Sequence, residues 1–302
     1  MPKQKGSSSK SNKTARILYW GTVSVLVLII VACAGLITYK LVTDAQDKDY
    51  YQSLQTPVDD IAATEERPTV PPTTEPTEPG ETTVPTEPTE PTEPTEPPEL
   101  NDTILLKLQG MYALNNDMVG WIKIEDTAIN YPVVQSPYQA NFYLRRNFNK
   151  EDATCGTIFA KESCDINLPS DNVILYGHNM RNGTMFADLL KYKSKTYWEE
   201  HRYVYFDTLT ELHTYEIFAV FLTSADLTKG FTYHVHDTFE TEADFNNYVS
   251  NCQNMMKRYI KYDTGITPQF MENGEKTKLL TLSTCDKSID DGRLVVVARR
   301  VV

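Results

Sequence analysis

The side chains able to do covalent chemistry fall in three short strings. His178 stands in Leu175-Tyr-Gly-His-Asn-Met180, Cys285 closes Thr281-Leu-Ser-Thr-Cys285, and Arg293 opens Arg293-Leu-Val-Val-Val-Ala298. An imidazole, a thiol and a guanidinium supply the parts of a thiol acyl-transfer site: proton shuttle, nucleophile and charge stabiliser. A thiol in water ionises near pH 8.5, so a cysteine nucleophile at neutral pH needs a positive neighbour. His178 and Cys285 each end an apolar β-type run and Arg293 begins one, so three strand ends on one rim would bring the groups together. Taken singly, each has a plainer explanation. A cysteine after an apolar strand is often a small buried hydrophobe, a Gly-His-Asn string also fits a turn, and an arginine at a strand start is commonly a surface ion-pair partner.

Together, in this order, the three strings resemble the sortases, cysteine transpeptidases of Gram-positive cell surfaces, and within them the class B enzymes. Supporting stretches are Gly120-Trp-Ile-Lys-Ile124, Ile129-Asn-Tyr-Pro-Val-Val134 and Gly156-Thr-Ile-Phe159, and the resemblance covers residues 101 to 302. It implies that the Cys285 thiolate attacks a threonine carbonyl in a C-terminal sorting signal, of Asn-Pro-x-Thr or related type, on a secreted protein. His178 would protonate the departing amine. Arg293, with a backbone N–H near Asp286, would stabilise the oxyanion or hold the signal's backbone, and an amine of a peptidoglycan precursor would resolve the thioester. Ser283, Thr284 and Asn141 are the expected substrate-binding residues, and no cofactor or metal is called for. A class B-type enzyme polymerising pilins would share the chemistry, although the Asp-Pro-aromatic lid motif of the class C pilin sortases is absent. A papain-like protease places its cysteine before its histidine, the reverse of this order. A stalked surface binding module with an idle barrel is the alternative from outside enzymology, and it leaves the coincidence of the three strings unexplained.

The elements that must position these residues occupy only part of the 302-residue chain. Residues 1–16 read as a basic cytoplasmic tail, with Lys3, Lys5, Lys10, Lys13 and Arg16 and no acidic residue. Residues 17–39 carry no charged side chain and are long enough to cross a bilayer as a signal-anchor helix, and the positive-inside bias puts everything after Lys40 outside. A cleaved signal peptide would have a shorter apolar region and a small-x-small site. Ile30-Val-Ala-Cys33 loosely resembles a lipoprotein signal, but the apolar run continues past it to Ile37.

Residues 40–65 read as a juxtamembrane segment with a short helix. Residues 66–99 are almost entirely Thr, Glu and Pro, a composition with nothing to bury, and they read as a disordered, extended stalk. At about 3.1 Å per residue the stalk could hold the domain up to roughly 100 Å from the membrane. Its glutamates account for much of the net charge of −12, and the only basic cluster is the N-terminal tip, so nothing points to nucleic acid.

Residues 100–302 read as the extracellular catalytic domain, mainly β: a closed barrel of about eight strands with an N-terminal helix and a long helix inserted between late strands. The N-terminal helix would be capped by Asn101 or Asp102 and bury Ile104, Leu105, Leu108 and Met111 or Tyr112. The strands are expected at Val119–Ile124, Ile129–Val134, Thr157–Ala160, Asn172–Tyr176, Arg202–Phe206, His213–Leu222, Lys278–Ser283 and Arg293–Val301. In the inserted helix, Phe245, Tyr248, Val249, Cys252, Met255 or Met256, and Tyr259 share one face, with Thr241 as cap. His234 and His236 alternate as in a strand but lack further ligands at zinc spacing. His201 and His213 have no evident partners. Cys155 and Cys164 are equally readable as a disulfide or as free thiols.

Overall fold

Short runs rich in Val, Ile, Leu, Phe and Tyr, broken by polar turns, close here into a single β-barrel. The structure is a computed structural model and describes residues 9–63, 67, 104–136, 139–167, 169–226 and 228–301. The barrel strands are β1 (Met118–Lys123), β2 (Asn130–Val134), β3 (Ile158–Ala160), β4 (Asn172–Tyr176), β5 (Tyr203–Thr208), β6 (Thr214–Ser224), β9 (Leu279–Cys285) and β10 (Gly292–Arg300). A two-stranded hairpin, β7 (Met271–Glu272) with β8 (Glu275–Lys276), stands apart. The barrel closes in the order β1-β2-β3-β4-β9-β10-β6-β5. Pairs β2–β3 and β4–β9 are parallel, and the remaining neighbours are antiparallel. All eight barrel strands fall within about two residues of the expected runs.

β6 is buried along nearly its whole length instead of alternating. One face looks into the barrel, and the other is covered by the inserted helix α4 (Glu242–Tyr259). Phe245, Tyr248, Val249, Cys252 and Met256 are buried, and Thr241 Oγ1 accepts the Asp244 N–H at 3.2 Å as the expected cap. Tyr259 is the exception, exposed at the helix end. α2 (Leu106–Leu114) precedes β1 and packs on it, with Leu108 and Met111 buried, and the short α3 (Lys195–Glu200) precedes β5. It begins after an extended Leu105, so neither Asn101 nor Asp102, which lie outside the described residues, is its cap.

The helix at the start of the chain, α1 (Ser9–Ala62), takes in both the apolar run of residues 17–39 and the segment that follows it. Two compact units divide it, Met1–Tyr50 and Tyr51–Val302. In the first, Leu18 to Val42 present large apolar side chains outward, and this is a helix long and apolar enough to cross a membrane. In the second, Tyr51, Leu54 and Val58 are buried against the barrel. Gln55 donates to Asn130 O at 2.7 Å, and Asn130 donates to Asp59 at 2.9 Å. The compact unit that holds the barrel begins at Tyr51, ahead of the residue 100 expected from the sequence, because the last turns of α1 carry an apolar stripe that the barrel covers.

The Thr/Glu/Pro stretch, residues 66–99, lies outside the described residues apart from Arg67. Arg67 forks onto both carboxylate oxygens of buried Asp207 at 2.5 and 2.7 Å, and Lys107 reaches the same carboxylate at 3.0 Å. Arg67, at the start of the stretch, and Lys107, beyond its end, thus attach to one barrel residue.

Removing residues 1–100 should uncover the face that Tyr51, Leu54 and Val58 close, at a cost on the order of several kcal/mol. Urea unfolding should give a chain starting at Asn101 a clearly lower midpoint than one starting at Tyr51. Equal midpoints would show that the α1 segment is not part of the fold.

Candidate active site

The site is built by strand register. In the parallel pair β4–β9, Tyr176 lies opposite Ser283, so His178 and Cys285 each stand two residues past the paired ends. In the antiparallel pair β9–β10, Arg293 lies directly opposite Cys285. Parallel strands end at the same rim, and an antiparallel neighbour begins there, so all three groups reach one edge of the barrel.

Hydrogen bonds carry the β4–β9 ladder past the strand ends. Gly177 N–H donates to Ser283 O at 3.2 Å, Thr284 Oγ1 donates to Gly177 O at 2.7 Å, and the Asn179 side-chain amide donates to Cys285 O at 3.1 Å. Gly177 is needed for close approach and not for a sharp exit: a Cβ there would lie 2.4 Å from Ile158 Cδ1 and 2.7 Å from Phe186 Cδ2. His178 Nε2 lies 2.8 Å from the carbonyl oxygen of Leu144. A carbonyl only accepts, so the contact places the proton on Nε2 and leaves Nδ1 for exchange.

Leu144 belongs to the 3₁₀ helix Phe142–Arg145, which follows Asn141 in left-handed conformation. Asn141, Leu144, Phe159, Tyr176, His178, Ser283, Thr284, Cys285 and Arg293 line one open groove of about 280 Å³. Every expected site residue is among them. The Cys285 thiol is exposed and the Arg293 guanidinium half-buried, its Nη1 donating to Gly292 O at 3.0 Å.

Ser283 and Thr284 are buried, and their hydroxyls are already engaged, Ser283 with Tyr233 Oη at 2.7 Å and Thr284 with Gly177 O. They brace the groove wall. The N–H of Asp286 itself donates to Gly292 O at 2.9 Å and continues the β9–β10 pairing. The Asp286 carboxylate is buried and ion-paired with Lys193, and it also accepts from Ser288. Burial alone would raise its pKa, but Lys193 and Ser288 outweigh that and hold it below the ordinary carboxylate value. The clasp therefore stabilises the turn after Cys285 at neutral pH and is lost as pH falls through that depressed value.

Sequence reasoning missed Leu144, Tyr233, Asn179 and Lys193. Asn179 stands inside the His178 string and Leu144 three residues after Asn141, but a backbone carbonyl leaves no signature in side-chain types. The remaining histidines and cysteines sit elsewhere. His201 stacks on Tyr197 with ring centroids 4.0 Å apart. His213 meets Glu211 at 2.9 Å and Arg300 at 3.3 Å, and burial, with Arg300, lowers its pKa. His234 lies in the 3₁₀ turn Tyr233–Val235 and His236 caps its end, so the two are not in a strand. Cys155 and Cys164 are both buried and are not joined in a disulfide.

Residues 122–301 match the Sortase domain family. The chain belongs to the sortase family. It is 34% identical over 204 residues to Sortase B of Listeria monocytogenes, covering 67% of this chain and 77% of that protein. Against Sortase B of Staphylococcus aureus the identity is 29% over 195 residues, 64% and 74% of the two chains. A Bacillus anthracis structure similar to sortase B superposes with TM-score 0.57 at 33% identity, over 68% of this chain and 88% of that one. The fold also matches a Staphylococcus aureus sortase B–substrate complex with TM-score 0.63 at 22% identity, over 86% and 98%. The relatives are class B enzymes, and sortases are cysteine transpeptidases.

Burial separates the thiols of this sortase. It pushes Cys164 up to about 11 and holds Cys252 well above the ordinary thiol range, whereas Cys285 faces solvent. With Cys33 replaced by serine, a thiol-directed probe at pH 7 should modify one residue per folded chain, found at Cys285 by peptide mapping. Comparable labelling of Cys155, Cys164 or Cys252 would contradict this arrangement.

Proposed function

We propose that this sortase cleaves a C-terminal sorting signal of secreted proteins after threonine and transfers the acyl group to an amine of a peptidoglycan precursor, fixing surface proteins to the wall. The observation that carries the reading is the convergence of Cys285, His178 and Arg293 on one solvent-open groove. The Cys285 thiolate attacks the threonine carbonyl carbon, and the carbonyl electron pair moves to oxygen. Collapse of the tetrahedral species expels the downstream amine, which takes a proton from imidazolium His178 at Nδ1, and a thioester remains. The incoming amine then attacks the thioester, His178 accepts its proton, and the new amide forms as the thiolate leaves.

Arg293 is the charge stabiliser of the oxyanion, directly across the strand pair from Cys285. It takes that role without the Asp286 N–H, which is committed to Gly292 O. Asn141, exposed beside the groove, is the groove residue best placed to hydrogen-bond a signal's backbone.

Residues 17–39 serve as a single-pass anchor with the N-terminus in the cytoplasm and the catalytic unit outside. Lys3, Lys5, Lys10, Lys13 and Arg16 precede the apolar run, which supports this orientation. Tyr19 and Trp20 stand at one end of the run and Tyr39 at the other, all exposed. Their separation on a helix at 1.5 Å per residue is roughly 30 Å, the thickness of a bilayer's hydrocarbon core. Client proteins awaiting release from export would meet the enzyme on that same outer face.

The test incubates the chain with fluorescent sorting-signal peptides, with and without triglycine as amine. Cys285→Ala should abolish cleavage and ligation, His178→Gln should lower kcat/KM by about 10²–10⁴-fold, and Arg293→Ala by about 10²–10³-fold. Cleavage that survives Cys285→Ala, or product that never carries the amine, would sink the transpeptidase reading.

A further inference from the structure

The groove's histidine lies against the Leu144 carbonyl, and the Gly156 backbone packed near that carbonyl is hydrogen-bonded to the segment of α1 that docks on the barrel. Tyr51 is 2% exposed, and its ring packs edge-on against Tyr131 with centroids 5.5 Å apart. Its hydroxyl donates to Gly156 O at 2.6 Å and lies 3.0 Å from Thr157 Oγ1. Gly156 has φ +60°, and a Cβ there would fall 2.6 Å from Leu144 O and 2.7 Å from Tyr143 O. The loop is also tied to the 3₁₀ helix by Ala153 N–H to Arg145 O at 2.9 Å, Thr157 N–H to Tyr143 O at 3.1 Å and Thr157 Oγ1 to Arg146 O at 2.9 Å. Leu144 O then meets His178 Nε2 at 2.8 Å.

We propose that Tyr51 is a positioning residue for His178, acting through Gly156 and the Leu144 carbonyl. The inference rests on His178 being the proton carrier of the proposed reaction. Each contact is short and local. The Tyr51 hydroxyl fixes the height of Gly156, the missing Gly156 side chain lets that backbone lie directly against the Leu144 carbonyl, and the carbonyl selects the Nε2–H form of the ring. Proton transfer depends steeply on such placement, whereas contacts made by Arg293 from β10 do not pass through it. The docked part of α1 therefore belongs to the catalytic apparatus as well as to the fold.

The test uses the full chain in detergent micelles with Tyr51→Phe, which keeps the ring on Tyr131 and deletes only the donor, and with Gly156→Ala as the stronger perturbation. Kinetics give kcat and KM separately, and ¹⁵N-histidine NMR reads the ring form of His178 among the chain's five histidines, assigned with His178→Gln. Tyr51→Phe should lower kcat about tenfold with KM within about twofold, and should shift the His178 ring nitrogens away from the Nε2–H pattern. Where Gly156→Ala folds, its effect should be larger in the same direction. A Tyr51→Phe enzyme that melts earlier but keeps its kcat and its His178 spectrum would overturn the proposal and leave Tyr51 a structural residue. The ring spectrum is independent of turnover. A wild-type chain that cleaves no signal yet shows a Tyr51-sensitive ring would fail the functional reading and keep the relay.

Discussion

The parallel pairing of β4 with β9 runs Tyr176 opposite Ser283, and the site depends on that register. Parallel strands present their C-terminal ends to the same side, so residues at equal distances past the pair arrive as neighbours. A shift of one residue would turn one chain's side chains to the opposite face and separate the imidazole from the thiol. The hydrogen bonds from Gly177, Thr284 and Asn179 continue the pairing where the strands have formally ended, and they hold the register at the point where it matters. Arg293 follows from the same constraint, since β10 pairs with β9 through the turn that the Asp286 clasp closes.

Around this rim the protein assigns rigid and open parts to different surfaces. The groove wall is made of hydroxyls already engaged, of Tyr176 and Phe159, and of backbone, while the Cys285 thiol faces water. The other thiols of the folded unit, Cys155, Cys164 and Cys252, are buried, and the pKa values of Cys164 and Cys252 are raised by loss of solvation. Burial thereby disfavours the thiolate at Cys164 and Cys252, whereas Cys285 opens on the groove that His178 and Arg293 also line.

The last turns of α1 give the barrel a cover that its own strands do not supply. Tyr51, Leu54 and Val58 face inward from a helix that lies in the chain before the Thr/Glu/Pro stretch, and Arg67, at the start of that stretch, shares Asp207 with Lys107.

Much of this was legible in the chain alone. His178, Cys285 and Arg293, which the structure brings to one groove, stood out by type and by neighbouring strings, and the eight strands by short apolar runs between polar turns. Thr241 announced α4 through capping chemistry, and the apolar run of α1 stood out by length. These are local properties, carried by side chains within a few residues of one another. The tertiary structure decided what depends on distant partners. The α1 stripe looked like a polar segment with scattered apolar positions until the barrel surface that covers it was present. The Asp286 N–H looked available until Gly292 O took it. Leu144 and Gly156 act through backbone atoms, which every residue type carries alike, so only the fold could bring that carbonyl to His178.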